Sequence, residues 1–253
     1  MAGVLLSEGF SLAAVGQNAD AVLVNTCSFI ADAREESVEA IREVCALKAE
    51  GRCRAVIVTG CLPQRYREEL LDTMPEVDAF LGIDELDKVG RVLRDLMESG
   101  KGVLQVSTDP ARLFEPTSSP VVFSTGAYAY LKIAEGCDHR CAFCAIPGIR
   151  GRHRSRPVGK IVKEAEDLLA RGFRELALVS QDVTSYGHDR KDGANLPALL
   201  RALGAIGGRF WVRLLYGYPS HVTDELLETM AGVPQVCRYL DIPIQHSDRD
   251  VLR

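Results

Sequence analysis

Nowhere in its 253 residues does the chain have a run of eighteen apolar residues, so no membrane span is expected. The opening MAGVLLSEGF lacks a charged start, a long apolar centre and a small-residue cleavage pattern, so no secretory signal is expected either. Net positive charge is also missing. Thirty Lys and Arg against 35 Asp and Glu leave −5, with no overall pull towards nucleic acid or an anionic membrane. There are no low-complexity segments or internal repeats, and no second C-x2-C knuckle of the kind that structural zinc sites pair. What remains is an ordinary globular composition, 47% hydrophobic and 26% charged. Eight cysteines without a signal point to a reducing, cytoplasmic setting, where clustered thiols bind metal or react.

Three of those cysteines organise the chain. Cys137, Cys141 and Cys144 lie in LKIAEGCDHRCAFCAIPGIRGRHRSRP with spacing C-x3-C-x2-C, and Phe143 directly precedes the last. LKIA reads as a short buried strand ending at Glu135-Gly136, and Pro147, Gly148 and Gly151 are expected to keep the following segment non-helical. Three soft thiolates are thus expected at the C-terminal end of a strand, where α/β folds place their chemistry. Three ligands are one short of a closed metal site, which leaves a position open for catalysis. Structural zinc, with His139 or His153 as fourth ligand, is the competing reading.

Continuous apolar runs at 21–26 (AVLVNT) and 55–59 (AVIVT) predict strands buried on both faces. Helices over about 33–49, 64–72 and 85–98 and a short strand at 78–81 complete a parallel three-layer domain over 1–108. A Pro- and Ser-rich stretch, 109–124, reads as a linker. Alternation then resumes over 125–253: strands at 129–134, 175–180, 210–215 and 238–243, with helices at 158–171, 195–204 and 223–231. These are four βα units of an incomplete, TIM-like barrel.

Cys27 and Cys61 each end an apolar strand of the first domain, so a parallel sheet would bring them to one edge. They read as ligands or as small buried hydrophobes; Cys45, Cys53 and Cys237 read as structural. The run Arg150, Arg152, His153, Arg154, Arg156 suits either an anionic ligand or a solvated loop with ion pairs. Ser180-Gln181-Asp182 and Pro243-Ile244-Gln245-His246 end the second and fourth barrel strands, and Arg213 lies within the third. Such groups would face a ligand at a barrel mouth, or serve as turns, Asp182 as an Asx-turn.

CDHRCAFC, with LKIAEGC, IPGIRGRHRSRP, SQDVTSYG, WVRLLYGYP and YLDIPIQHSD, resembles the radical S-adenosylmethionine (SAM) methylthiotransferases, specifically the RimO type. VNTCSFI and TGCLPQRY resemble that family's N-terminal domain. The resemblance implies a [4Fe-4S] cluster on Cys137, Cys141 and Cys144 that binds SAM and cleaves it to an adenosyl radical. It further implies SAM contacts from Phe143, Gln181 and Gln245, and weaker substrate or cofactor contacts from Arg150, Arg213 and His246. A second [4Fe-4S] cluster, delivering sulfur, would use Cys27 and Cys61. The implied reaction adds a methylthio group to the β-carbon of an aspartate in the twelfth small-subunit ribosomal protein, served by an external electron donor and a sulfur donor. The family's first GCxxN-type cysteine, last barrel strands and C-terminal β-domain are not in this sequence, so a chain truncated at both ends is expected. The alternatives are a tRNA adenosine methylthiotransferase, the one reading with a nucleic-acid partner, and an inactive iron–sulfur-binding fragment.

Overall fold

Alternation of apolar strands with amphipathic helices produces two sheets, each parallel throughout. The computed structural model describes residues 1–14, 17–100, 102–113, 121 and 126–251. Most of the expected linker, 109–124, therefore lies outside the described residues. The chain divides into two compact units: residues 1–121 with 138–152, and residues 122–137 with 153–253.

In the first unit the order is α1 (Ala2–Ser7), β1 (Ala21–Thr26), α2 (Ala31–Ala49), β2 (Ala55–Gly60), α3 (Cys61–Tyr66), α4 (Glu69–Thr73) and β3 (Ala79–Leu81). A 3₁₀ segment (Ile83–Lys88) leads into α5 (Val89–Ser99) and β4 (Val103–Gln105). The sheet runs β1-β2-β3-β4. β2 is buried along its whole length, and its period of two explains the continuous apolar run. Ala55 and Ile57 pack with α1 and α5, while Val56 and Val58 pack with Ile41 of α2 on the opposite face. Three features depart from expectation. The expected helix over 64–72 is two short helices, broken at Arg67, whose φ is +45°. β4 was not foreseen, because VLQ is only three residues long. The start of the expected linker is held to the first unit: Asp84 accepts from the backbone N–H groups of Ala111 and Arg112, and Arg112 pairs with Asp87 at 2.6 Å.

The second unit contains β5 (Tyr128–Lys132), β6 (Ala134–Glu135), β7 (Arg154–Ser155), α7 (Val158–Ala170) and β8 (Glu175–Val179). These are followed by α8 (Leu196–Gly204), β9 (Trp211–Leu214), α9 (Asp224–Gly232) and β10 (Val236–Leu240). Its sheet runs β10-β9-β8-β5. Leu131, Leu176, Leu178, Val212 and Leu214 bury one face against Ile161, Leu168, Leu199 and Leu226 of the helices. The fourth strand ends at Leu240, so Pro243 to His246, expected to end it, lie in an irregular segment beyond. The four strands and three helices are the open, partial α/β barrel that the sequence predicts. No helix among the described residues is long and apolar enough to cross a membrane.

Candidate metal and cofactor site

The first unit carries two sets of thiols. Register pairs Thr26 with Gly60, so Cys27 and Cys61 follow at the same level on neighbouring strands, at the C-terminal edge of the sheet. The two loops are cross-tied. Thr26 Oγ1 donates to the Thr59 carbonyl (2.7 Å) and accepts from the Leu62 N–H (3.2 Å). Ser28 Oγ donates to the Cys61 carbonyl (2.9 Å). Ser37 of α2 accepts from the Cys27 N–H (3.0 Å) and donates to the Cys27 carbonyl (2.9 Å). Gly60 makes the turn into Cys61 possible. Its φ is +101°, and a Cβ there would stand 2.6 Å from the Thr26 carbonyl oxygen. Cys27 is exposed and Cys61 is buried.

Cys141 and Cys144 form the second set. They share a tight turn in which the Cys144 N–H donates to the Cys141 carbonyl (3.0 Å). A short helix follows, α6 (Ile146–Arg150), which corrects the expectation that this segment is non-helical. Proline is tolerated in a first helical turn, where its missing N–H would have no partner, and Gly151, with φ +70°, ends the helix. α6 packs on α3, and Arg150 Nη2 donates to Cys61 Sγ at 3.2 Å. Phe143 is 67% exposed.

Cys137 closes the first segment of the second unit, one residue past Gly136. The ends of the cysteine-bearing excursion are clamped within this unit. β6 and β7 pair antiparallel, and the Arg156 N–H donates to the Ile133 carbonyl (2.9 Å). Ser155 is held on three sides. Its N–H donates to Asp189 (3.0 Å), its hydroxyl accepts from the Gly187 N–H (2.9 Å), and its carbonyl accepts from Arg190 (3.2 Å). Tyr186, fully buried, donates to the Arg156 carbonyl (2.7 Å), and burial pushes its phenol up to about 12. Sequence reasoning gave Ser37, Ser155, Tyr186 and Asp189 no role. Ser155 and Tyr186 sit inside the quoted motifs, which is their signal, while Ser37 and Asp189 lie outside them, and the partners of all four are set by the fold.

The basic run is largely committed to ion pairs and backbone. Arg152 pairs with Asp138 (3.1 Å), and buried Arg156 donates to Glu164 (2.6 Å) and to the Lys132 carbonyl (2.5 Å). His153 is buried, its Nε2 3.1 Å from Ser155 Oγ. Arg156 is thus used inside the fold, while Arg152 keeps an exposed side chain in a surface ion pair.

At the end of β8, Ser180 Oγ and Gln181 Oε1 are buried without a hydrogen-bond partner. Such atoms cost about 1–3 kcal/mol when left unpaired, which makes them candidates to meet a polar ligand. Next to them, Asp182 is an Asx-type cap. It accepts from the Thr184 N–H (2.9 Å) and the Thr184 hydroxyl (2.5 Å), and its Oδ2 lies 3.1 Å from His221 Nδ1. Gln245 and His246 are exposed, and the bonds of His246 are local, Asp248 N–H donating to its Nδ1 at 2.9 Å. Arg213 is engaged within the sheet. It donates twice to Glu175 (2.6 and 3.1 Å) and stands over the Tyr239 ring at 5.4 Å. Cys45 and Cys53 belong to the first unit's core and Cys237 is buried, and burial pushes all three thiols up.

The donor chemistry fits an iron–sulfur cluster with an open iron. Cys137, Cys141 and Cys144 are partly exposed cysteines of one segment, outside any disulfide, and partnerless oxygens lie at a strand end in the same sheet as β5. Cys27 and Cys61 offer two further free thiols at one sheet edge.

Residues 1–82 match the uncharacterized protein family UPF0004, and residues 131–253 match the radical SAM superfamily. The ribosomal protein uS12 methylthiotransferase RimO of Trichlorobacter lovleyi is 46% identical over 253 residues, covering all of this chain and 56% of the relative. The protein of that name from Syntrophus aciditrophicus is 48% identical over 255 residues, again covering all of this chain and 56% of the relative. The chain therefore spans a little over half the length of these relatives. Among solved structures, the radical SAM methyltransferase TsrM from Kitasatospora setae, with cobalamin and a [4Fe-4S] cluster bound, has a TM-score of 0.66 at 16% identity. That similarity covers 92% of this chain and 50% of TsrM. The apo cobalamin-dependent radical enzyme OxsB scores 0.60 at 11% identity, covering 93% of this chain and 37% of its own. At these identities the likeness is one of fold.

Proposed function

We propose, for a chain that belongs to the radical SAM methylthiotransferases of the RimO type, that it forms the cofactor-binding part of an enzyme acting on ribosomal protein uS12. The reaction adds a methylthio group to the β-carbon of an aspartate. The observation that carries this reading is the presence of two thiol sets in one compact unit, Cys27 with Cys61 and Cys141 with Cys144. Carbon–sulfur bond formation at an unactivated carbon needs both a radical source and a sulfur source.

Cys137, Cys141 and Cys144 hold one [4Fe-4S] cluster, and Cys27 and Cys61 are two ligands of another. When bound, the first cluster with SAM supplies the one-electron chemistry that opens a C–H bond, and the second carries sulfur. The protein's own groups bind and orient. Gln181 and Ser180, whose buried oxygens lack partners, receive the polar groups of SAM. Phe143 lies against SAM, and Gln245 and His246 contact cofactor or substrate from the segment beyond β10. Asp182 holds the β8 turn rigid, which keeps Gln181 in place. Arg213, engaged by Glu175, is left out of the contact set. An external electron donor and a sulfur donor complete the reaction, in the cytoplasm. The domain boundaries that go with this reading are 1–108 for the methylthiotransferase N-terminal domain and 125–253 for the radical SAM core. The net charge of −5 argues for protein over tRNA as substrate.

Anaerobic reconstitution of the full-length protein with iron and sulfide, followed by SAM and reductant, is the test. Two clusters, 5′-deoxyadenosine and a methylthio mass increase on uS12 are expected. A mass increase on tRNA alone would overturn the substrate, and absence of cluster and 5′-deoxyadenosine would overturn the enzyme reading.

A further inference from the structure

Arg150 is the last residue of α6, the helix that directly follows the Cys141–Cys144 turn. Its guanidinium reaches back to a cysteine of the same unit. Nη2 donates to Cys61 Sγ at 3.2 Å, and α6 packs against α3, whose first residue is Cys61. Cys61 is 5% exposed, so this donor acts on a buried sulfur, where a hydrogen bond from a cation is stronger than in water. The opposite side of the same residue is also fixed, since Ser28 Oγ donates to the Cys61 carbonyl at 2.9 Å. Only a guanidinium offers a planar fork of several donors, able to hold a sulfur while keeping other contacts.

We infer that Arg150 is a positioning residue for the sulfur-carrying cluster, and that it mechanically joins the radical-generating loop to that cluster's ligand Cys61. The inference rests on the reading of Cys61 as a cluster ligand. Donors to ligating sulfurs orient the ligand and raise the cluster's reduction potential, and loss of such partners weakens metal retention about 10- to 100-fold. The side chain that gives Cys61 its donor is also the end of the helix that begins two residues after Cys144. Loss of Arg150 therefore loosens the sulfur site and its tie to the loop together.

Two measurements on the full-length protein test this. In the metal-free protein, urea midpoints of Arg150→Met, Cys61→Ala and the double variant form a double-mutant cycle, with a non-additive shift expected. In the loaded protein with Cys137, Cys141 and Cys144 replaced by Ala, only the second cluster remains. There Arg150→Met is expected to move its midpoint potential to more negative values and to speed iron loss to a chelator by about tenfold or more, while Arg150→Lys recovers part of both. If Arg150→Met does not fold, ¹⁵N-arginine labelling of the otherwise unmodified single-cluster protein replaces it, with a nitrogen hyperfine coupling to the reduced cluster expected. An additive cycle together with an unchanged potential, or no arginine coupling, overturns the inference while the cluster assignment stands. Failure of the parent protein to assemble any cluster at Cys27 and Cys61 instead overturns the functional reading.

Discussion

Glu175 and Arg213 show how one residue's surroundings decide its role. An arginine within a barrel strand suggests a ligand contact, yet its fork is met twice by Glu175 at 2.6 and 3.1 Å. The hydrogen bond from Arg213 holds the Glu175 carboxyl below its usual range. A depressed folded-state value means that the pair's stabilisation is fully present above the ordinary glutamate range of about 4.3 and is lost as pH falls through and below it. Because both side chains are partly exposed, the pair is worth at most about 1 kcal/mol. Glu175→Gln is therefore expected to lower the urea midpoint slightly at neutral pH. The gap to the parent protein should close below the carboxylate range, and a gap that persists at low pH would refute the ion-pair account.

At the scale of elements, the turn from β2 into α3 constrains the candidate site tightly. Gly60 adopts φ +101° with the Thr26 carbonyl oxygen 2.6 Å from where a Cβ would sit. A methyl group there meets backbone, which cannot rotate away as a side chain can. Gly60→Ala is expected to destabilise the protein by about 1–3 kcal/mol and to lower the iron bound at Cys27 and Cys61. Thermal melting and iron counting of the single-cluster protein check both, and an unchanged iron count would separate the turn from the site. The strands of both sheets except β4 were legible from their apolar runs, because buried parallel strands are uniformly apolar. Element ends were less so. α6 forms despite Pro147 because proline suits a helix start, and β4 is three residues long, too short to show a period.

For the whole molecule, burial is organised into separate clusters. One serves the second unit's sheet and helices, and two lie on opposite faces of the first unit's sheet. Leu178, fully buried in the first of these, packs among α7, α8 and the sheet. Leu178→Ala is expected to cost about 2–5 kcal/mol. The loss should appear in hydrogen exchange as reduced protection of β8 and β9, with β1 and β2 nearly unchanged. Equal loss of protection in β1 and β2 would show one cooperative core in place of several.

The sequence by itself determined the parallel α/β architecture and the grouping of Cys137, Cys141 and Cys144, because periodicity and short spacing are local properties of the chain. It also placed Cys27 and Cys61 at strand ends, from which a shared edge follows once the sheet is parallel. Tertiary structure alone decided the partners: Arg150 on Cys61, Ser37 on the Cys27 backbone, Asp189 on Ser155, and Glu175 on Arg213. Hydrogen bonds between residues distant in sequence depend on how helices and loops return over a sheet, and no local pattern encodes that return. The basic run was open to either reading as sequence; packing buried Arg156, which as a buried guanidinium requires acid and carbonyl partners, and left Arg152 at the surface in an ion pair.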